Sequence, residues 1–226
     1  MSKTILMKVT SMERPKQLLD TVKSYIEMAA NTIDMVWLFS FDSNDESYKD
    51  ESFLNSLKNM STLESKGDIW FRESTGKINA INRDVNSFNL HWDILLNISD
   101  DQRPIVKGYD NIIRNAMPDH LDASLWFWDG VQPRISTMEI LGKTYYQRFN
   151  YIYYPEYKSF FCDNESTLVA QKLGKQIKSN NCIIKHEHYA APNGSMKFDE
   201  LYKKNNTFWK HDEELYHSRV KVSFGL

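Results

Sequence analysis

The feature that most limits what this chain can fold into is an alternation. Short apolar runs, each closing on polar residues, are separated by segments with helical spacing. Thr4-Ile5-Leu6-Met7-Lys8-Val9-Thr10 has the length and composition of a buried strand. Ser11 follows, and Pro15 suits the first turn of a helix, where a missing N–H leaves no bond unmade. Leu18, Leu19, Val22, Tyr25 and Ile26 then form one apolar face of a helix reaching to about Ala30. Asp34 to Phe41 reads as a second strand, ending in Asp42-Ser43-Asn44-Asp45, and Phe53, Leu54 and Leu57 mark a short helix. Asp68 to Arg72 is a third strand, a Gly76-led helix turns Ile78, Ile81 and Val85 inward, and Trp92 to Ile98 is a fourth strand, ending at Ser99-Asp100-Asp101. Tyr109 to Met117 is helical, and Leu125 to Trp128 makes a fifth strand. Strand and helix in alternation predict an α/β fold with a mainly parallel sheet flanked by helices.

The second half changes character. Tyrosines crowd the stretch from Tyr145 to Tyr157, and Thr167 to Gly174 reads as a short helix. Cys182-Ile183-Ile184 reads as a brief strand running into His186-Glu187-His188, and Phe198 to about Tyr216 as one polar helix. No Pro/Gly-rich linker or repeat divides the 226 residues, so a single domain over 1–226 with an elaborated C-terminal half is expected. A net charge of −2 gives no general attraction to nucleic acid or anionic membrane. Two cysteines without metal spacing, no signal-peptide pattern and no apolar run long enough to span a membrane predict a cytoplasmic protein.

Open parallel sheets bind ligands beyond the carboxyl ends of their strands. The first four strands end in Thr10 and Ser11, in Asp42, in Arg72 to Lys77, and in Asp100 with Asp101. Hydroxyls and an aspartate can bond a base or ribose, Arg and Lys can meet phosphates, and adjacent carboxylates can hold a hard divalent cation. A solvated turn accounts for Asp100-Asp101 equally simply. His186 and His188 leave a strand on one side, which suits a shared cation or merely a polar strand end. Asp163 follows Phe160-Phe161-Cys162. Apolar walls would make it a stronger base, while capping a helix that starts near Ser166 is the alternative.

These residues, taken in order, resemble the family-two-like glycosyltransferases of the GT-A, or nucleotide-diphospho-sugar transferase, fold. The resemblance rests on Thr10-Ser11 with Arg14-Pro15, Asp42, Lys77-Ile78-Asn79-Ala80-Ile81-Asn82, Ser99-Asp100-Asp101, Asp129-Gly130, Phe160 to Glu165, and His186 with His188. It covers about Ile5 to His188. It implies a nucleotide-binding half over 1–101 and an acceptor-binding half over 102–226. The implied nucleotide pocket is Thr10, Ser11, Arg14, Asp42, Lys77, Asn82 and Asp100, with Asp100 near the ribose. Asp101 with His186 or His188 would hold a divalent metal, Mn²⁺ or Mg²⁺. Asp163 would be the base, and Asp129, Gly130 and Glu165 would meet the acceptor. Ser99 departs from the pattern, standing where the first aspartate of the metal motif belongs.

The implied activity is metal-dependent, inverting transfer of a sugar from a nucleotide-diphosphate donor such as a UDP-sugar to an acceptor hydroxyl. The acceptor could be a glycan, a small molecule, a protein or a modified nucleobase in phage DNA. A sugar nucleotidyltransferase would carry a Gly-rich first loop, and Thr10 to Lys16 contains no glycine. A non-catalytic nucleotide-sugar-binding or interaction protein on the same scaffold is the alternative that Ser99 favours.

Overall fold

The computed structural model describes residues 2–60, 66–187 and 200–226. In chain order the elements are β1 (Ile5–Thr10), α1 (Pro15–Met28), β2 (Met35–Asp42), α2 (Glu51–Lys58), β3 (Gly67–Arg72), α3 (Lys77–Asn82), β4 (Ile94–Ile98), β5 (Gln102–Pro104) and α4 (Tyr109–Ala116). There follow β6 (Ser124–Phe127), β7 (Ile140–Gly142), α5 (Lys143–Tyr146), α6 (Cys162–Lys172), β8 (Gln176–Ser179), β9 (Ile184–His186), α7 (Glu200–Asn206) and α8 (Trp209–Lys221).

Seven strands form one sheet in the order β3-β2-β1-β4-β7-β6-β8. Only β7 runs against its neighbours, so the other six strands share a direction and their carboxyl ends share one edge. The sheet is therefore mainly parallel, and strands from the second half of the chain continue it. Side-chain alternation sorts its two faces. Ile5, Met7 and Val9 of β1 enter one apolar layer with Trp37, Phe39 and helix α1, while Leu6 enters the other with Leu38, Ile78 and Ile81. Lys8, on the second face, is fully buried and donates Nζ to the Ala80 carbonyl at 3.2 Å. Burial lowers its pKa to about 7, against the pull of Asp84. This bond ties α3 to the centre of the sheet.

Three sequence expectations are corrected. The helix expected from Thr167 begins at Cys162, because Phe161 adopts a left-handed conformation (φ 60°) and turns the chain there. The strand expected at Cys182–Ile184 lies at Ile184–His186, where it pairs antiparallel with β5. The single C-terminal helix is two helices: the Thr207 hydroxyl bonds back to the Lys204 carbonyl at 2.7 Å, and Thr207 N–H closes a tighter turn on the same carbonyl at 3.2 Å. The expected start of that helix, Phe198, lies outside the described residues. No helix among the described residues is long and apolar enough to cross a membrane.

Candidate active site

The carboxyl edge of the sheet gathers most of the residues singled out in the sequence, through a network centred on Asp100. Ser11, just past β1, donates its hydroxyl to Asp100 Oδ2 and accepts from the buried Tyr48 hydroxyl at 2.6 Å. Arg14 Nη1 lies 3.2 Å from Asp100 Oδ1. Helix α1 closes the network from below, with Thr21 Oγ1 donating to the Asp100 carbonyl at 2.7 Å and Gln17 Nε2 at 3.1 Å. Asp100 is thus buried, and its carboxyl pKa is raised, first by desolvation and then by the neighbouring Asp101 charge. Asp100, expected beside a ribose, is also the hub that fixes Ser11, Arg14 and α1. Thr10 offers a different opportunity: its buried hydroxyl meets no hydrogen-bond partner among the described residues.

Asp101 turns to the other side. The chain passes directly into β5, which pairs with β9 so that Gln102 opposes His186. Glu187 N–H donates to the Asp101 carbonyl at 2.7 Å, and His186 Nε2 lies 3.3 Å from Asp101 Oδ2. The other imidazole nitrogen, Nδ1, lies 3.4 Å from Asp129 Oδ2. Burial opposes the imidazolium, but hydrogen bonds to Asp101 and Asp129 outweigh it and raise the His186 pKa to about 9. Asp101 is buried too, yet its hydrogen bond to His186 holds its carboxyl well below the usual range.

Asp129, expected at the acceptor, is committed to its own turn and to His186. It accepts from Val131 N–H at 2.8 Å, Gln132 N–H at 2.7 Å and the Thr137 hydroxyl at 2.6 Å. Gly130 makes that turn at φ 86°, a conformation that glycine adopts readily.

Asp163 lies in the first turn of α6. It is half-buried and accepts Asn164 N–H at 2.9 Å, and burial raises its pKa against that bond and the pull of Lys77 and His186. The charge of Lys77 also lowers the pKa of Asp101, so Lys77, Asp101, His186 and Asp163 share one electrostatic environment.

Three sequence candidates have other partners. Asn82 ties α3 to the tyrosine-rich loop, giving Nδ2 to the Tyr153 carbonyl at 2.6 Å and accepting Ile152 and Tyr153 N–H, each at 2.9 Å. Glu165 is buried against Arg219 at 2.7 Å and the Tyr157 hydroxyl at 2.8 Å. Asp42, at the tip of β2, accepts from the Ser74 hydroxyl and from Asn44 N–H at 3.1 Å; its pKa is lowered because these bonds outweigh burial. His188 lies outside the described residues.

Sequence reasoning passed over Gln17, Thr21, Tyr48 and Asp45, whose carboxylate receives Glu13 N–H at 2.7 Å. Gln17 and Thr21 stand one turn apart on α1 beside Leu18 and Val22. A buried threonine on an otherwise apolar face was the available signal.

The residues can be tested against a divalent cation. Carboxylate oxygen and imidazole nitrogen suit Mn²⁺ or Mg²⁺, and Asp129 behind His186 is the arrangement that orients a ligating imidazole. Because Asp129 stands on Nδ1, only Asp101 and His186 would face the ion. Accordingly, among the described residues no group of three or more His, Cys, Asp or Glu side chains is gathered to hold a metal. Two protein ligands completed by phosphate oxygens and water are the usual way such ions sit beside a diphosphate, so the donor set fits once His186 gives up its proton to ligate as a neutral imidazole.

A mainly parallel sheet with this strand order, its polar network at the carboxyl edge, is the GT-A nucleotide-sugar transferase fold, and comparison with solved structures bears that out. The chain is similar to the mannosyltransferase PcManGT from Pyrobaculum calidifontis in complex with GDP-Man and Mn²⁺, at TM-score 0.64 and 9% identity, covering 82% of this chain and 57% of that one. It is also similar to S. aureus TarS 1–349 in complex with UDP-GlcNAc, at TM-score 0.58 and 11% identity, covering 88% of this chain and 64% of that one. This chain therefore spans less than two thirds of the length of these neighbours. Compared by sequence, it matches no family model and no curated protein.

Proposed function

We propose that the protein transfers a sugar from a nucleotide-diphosphate donor to an acceptor hydroxyl, with inversion and with the help of a divalent cation. The observation that carries this reading is the Asp101–His186 contact at the carboxyl edge of a GT-A sheet, with the charges of Lys77 and Asp163 acting on the same groups. The GDP-Man complex of PcManGT and the UDP-GlcNAc complex of TarS support a nucleotide-sugar donor.

Thr10, Ser11 and Asp42 line the strand tips where base and ribose would lie, and Lys77 would face the diphosphate. Asp101 and His186 would hold Mn²⁺ or Mg²⁺, which when bound supplies Lewis-acid stabilisation of charge on the leaving diphosphate. Asp163 acts as general base, since a buried carboxylate with raised pKa is a stronger proton acceptor. It takes the proton of the acceptor hydroxyl as that oxygen bonds to the anomeric carbon. The bond from that carbon to the phosphate oxygen breaks on the opposite face, and the nucleoside diphosphate leaves.

A second reading is a nucleotide-sugar-binding protein without turnover, favoured by Ser99 in place of a carboxylate. Hydrolysis of a panel of UDP- and GDP-sugars with Mn²⁺ separates the two. Turnover that is lost in Asp163→Asn while nucleotide binding persists supports transfer. Binding without turnover in the unaltered chain supports the second reading, and wild-type turnover in Asp101→Ala would remove the cation role.

A further inference from the structure

Helix α8 carries an aromatic wall that the core covers only in part: Phe161 stacks on Tyr216 at 5.5 Å and packs against the second apolar layer, while Trp209 stays open. Trp209, its first residue, is 48% exposed, and its ring lies 5.0 Å from that of Phe160 and 4.9 Å from that of Phe161. Phe160 and Phe161 also keep accessible surface, so the three rings form a half-open cluster instead of filling the interior. Phe161 stands two residues before Asp163 and sets the start of α6.

The wall is fixed with unusual thoroughness. Asp212, one turn along α8 and fully buried, accepts three consecutive main-chain N–H groups: Lys158 at 2.9 Å, and Ser159 and Phe160 each at 2.8 Å. A buried carboxylate saturated by backbone donors makes strong, directional bonds, and its removal would leave those donors unmet. The same loop reaches the start of α3, because the Lys158 carbonyl lies 3.6 Å from where a Cβ on Gly76 would stand. The segment from Lys158 to Asp163 therefore joins the glycine before Lys77, the aromatic wall and the base.

We propose that Trp209, with Phe160 and Phe161, is the acceptor platform of this site, and that the acceptor is a pyranoside whose ring lies on the indole. The inference rests on the reading of Asp163 as base. An aromatic face joined through Phe161 to the segment that carries the base matches the two sides of a pyranose, which has C–H groups on its ring face and hydroxyls at its edge. A nucleobase could stack equally well, but it brings phosphates, for which a chain of net charge −2 has no general attraction.

The test uses the full chain with a donor it hydrolyses and the methyl pyranosides of glucose, galactose, mannose and N-acetylglucosamine, reading release of nucleoside diphosphate. At least one pyranoside is expected to accelerate release. Trp209→Ala should raise its KM roughly tenfold, the loss of one ring-stacking contact, and Trp209→Phe should recover most of it. Calorimetric affinity for UDP or GDP should stay within about twofold in both variants, since the wall touches no donor residue. An unchanged KM in Trp209→Ala overturns the platform. So does a donor that is hydrolysed with no pyranoside accelerating it, and acceleration by a short oligodeoxynucleotide instead would assign the acceptor to nucleic acid. Absence of any nucleotide binding in the unaltered chain would overturn the donor reading itself, a result distinct from all of these.

Discussion

Asp129 holds His186 twice over: the His186 N–H donates to the Asp129 carbonyl at 2.8 Å, and Nδ1 lies 3.4 Å from Asp129 Oδ2. The double hold fixes both the depth and the rotation of the imidazole, leaving Nε2 facing Asp101.

Asp129→Ala should therefore weaken cation-dependent nucleotide binding by about tenfold or more. Titration calorimetry with UDP and GDP, with and without Mn²⁺, checks this. Binding without Mn²⁺ should be unchanged, and equal losses in both arms would place the effect in the nucleotide pocket or the fold.

Glu139 is buried just before β7, accepting from the Ser166 hydroxyl at 2.6 Å, and desolvation raises its pKa to about 8. Between its ordinary pKa of 4.5 and about 8 the native state keeps a proton that the unfolded chain has lost. The stabilisation is complete below the lower value and fades as pH rises through the upper one, with a slope of at most about 1.4 kcal/mol per pH unit. Glu139→Gln should flatten this decline, so urea midpoints of variant and parent should run parallel below pH of about 4.5, draw apart in favour of the variant from there to about 8, and differ by a constant amount above it.

The Arg219–Glu165 pair locks α8 to α6, with Arg219 also lying 3.7 Å above the Tyr154 ring. Arg219→Met leaves a carboxylate buried with only the Tyr157 hydroxyl, and should cost about 3 kcal/mol or more. Urea unfolding measures the cost. A loss under about 1 kcal/mol would mean that the pair behaves as a surface salt bridge.

Gly142 has an ordinary φ of −69°, so space, and not backbone freedom, requires glycine there. A Cβ would stand 2.2 Å from the Leu121 carbonyl oxygen. Gly142→Ala should destabilise by about 3 kcal/mol, the upper end for overpacking, seen as a lowered urea midpoint.

The first half of the fold was legible because β1, β2 and β4 are apolar runs buried on both faces and the helices between them are amphipathic, so hydrophobic pattern alone marks them. The second half was not: β7 and β5 are three residues each, too short for any period, and β9 is defined by its partner on β5. The carboxyl-edge rule located Ser11, Asp42, Asp100 and Asp101. It could not divide the labour between the two adjacent aspartates, since which one turns inward depends on Ser11, Arg14 and Thr21 closing around it. Nor could a motif foretell the partners of Asn82 and Glu165, which are a loop and a helix distant in sequence.

The β5–β9 ribbon brings Asp101 against His186 across 85 positions of chain. Closing so long a loop is entropically slow and comes after local contacts form. In a nascent chain, the strand tips from Thr10 to Asp100 can assemble from the first hundred or so residues, whereas the cation pair exists only once the return segment has docked. On the proposed reading, affinity for Mn²⁺ would act as a gauge of completed folding, and ligation would in turn staple the last-formed contact, drawing folding equilibrium and cofactor loading into one process.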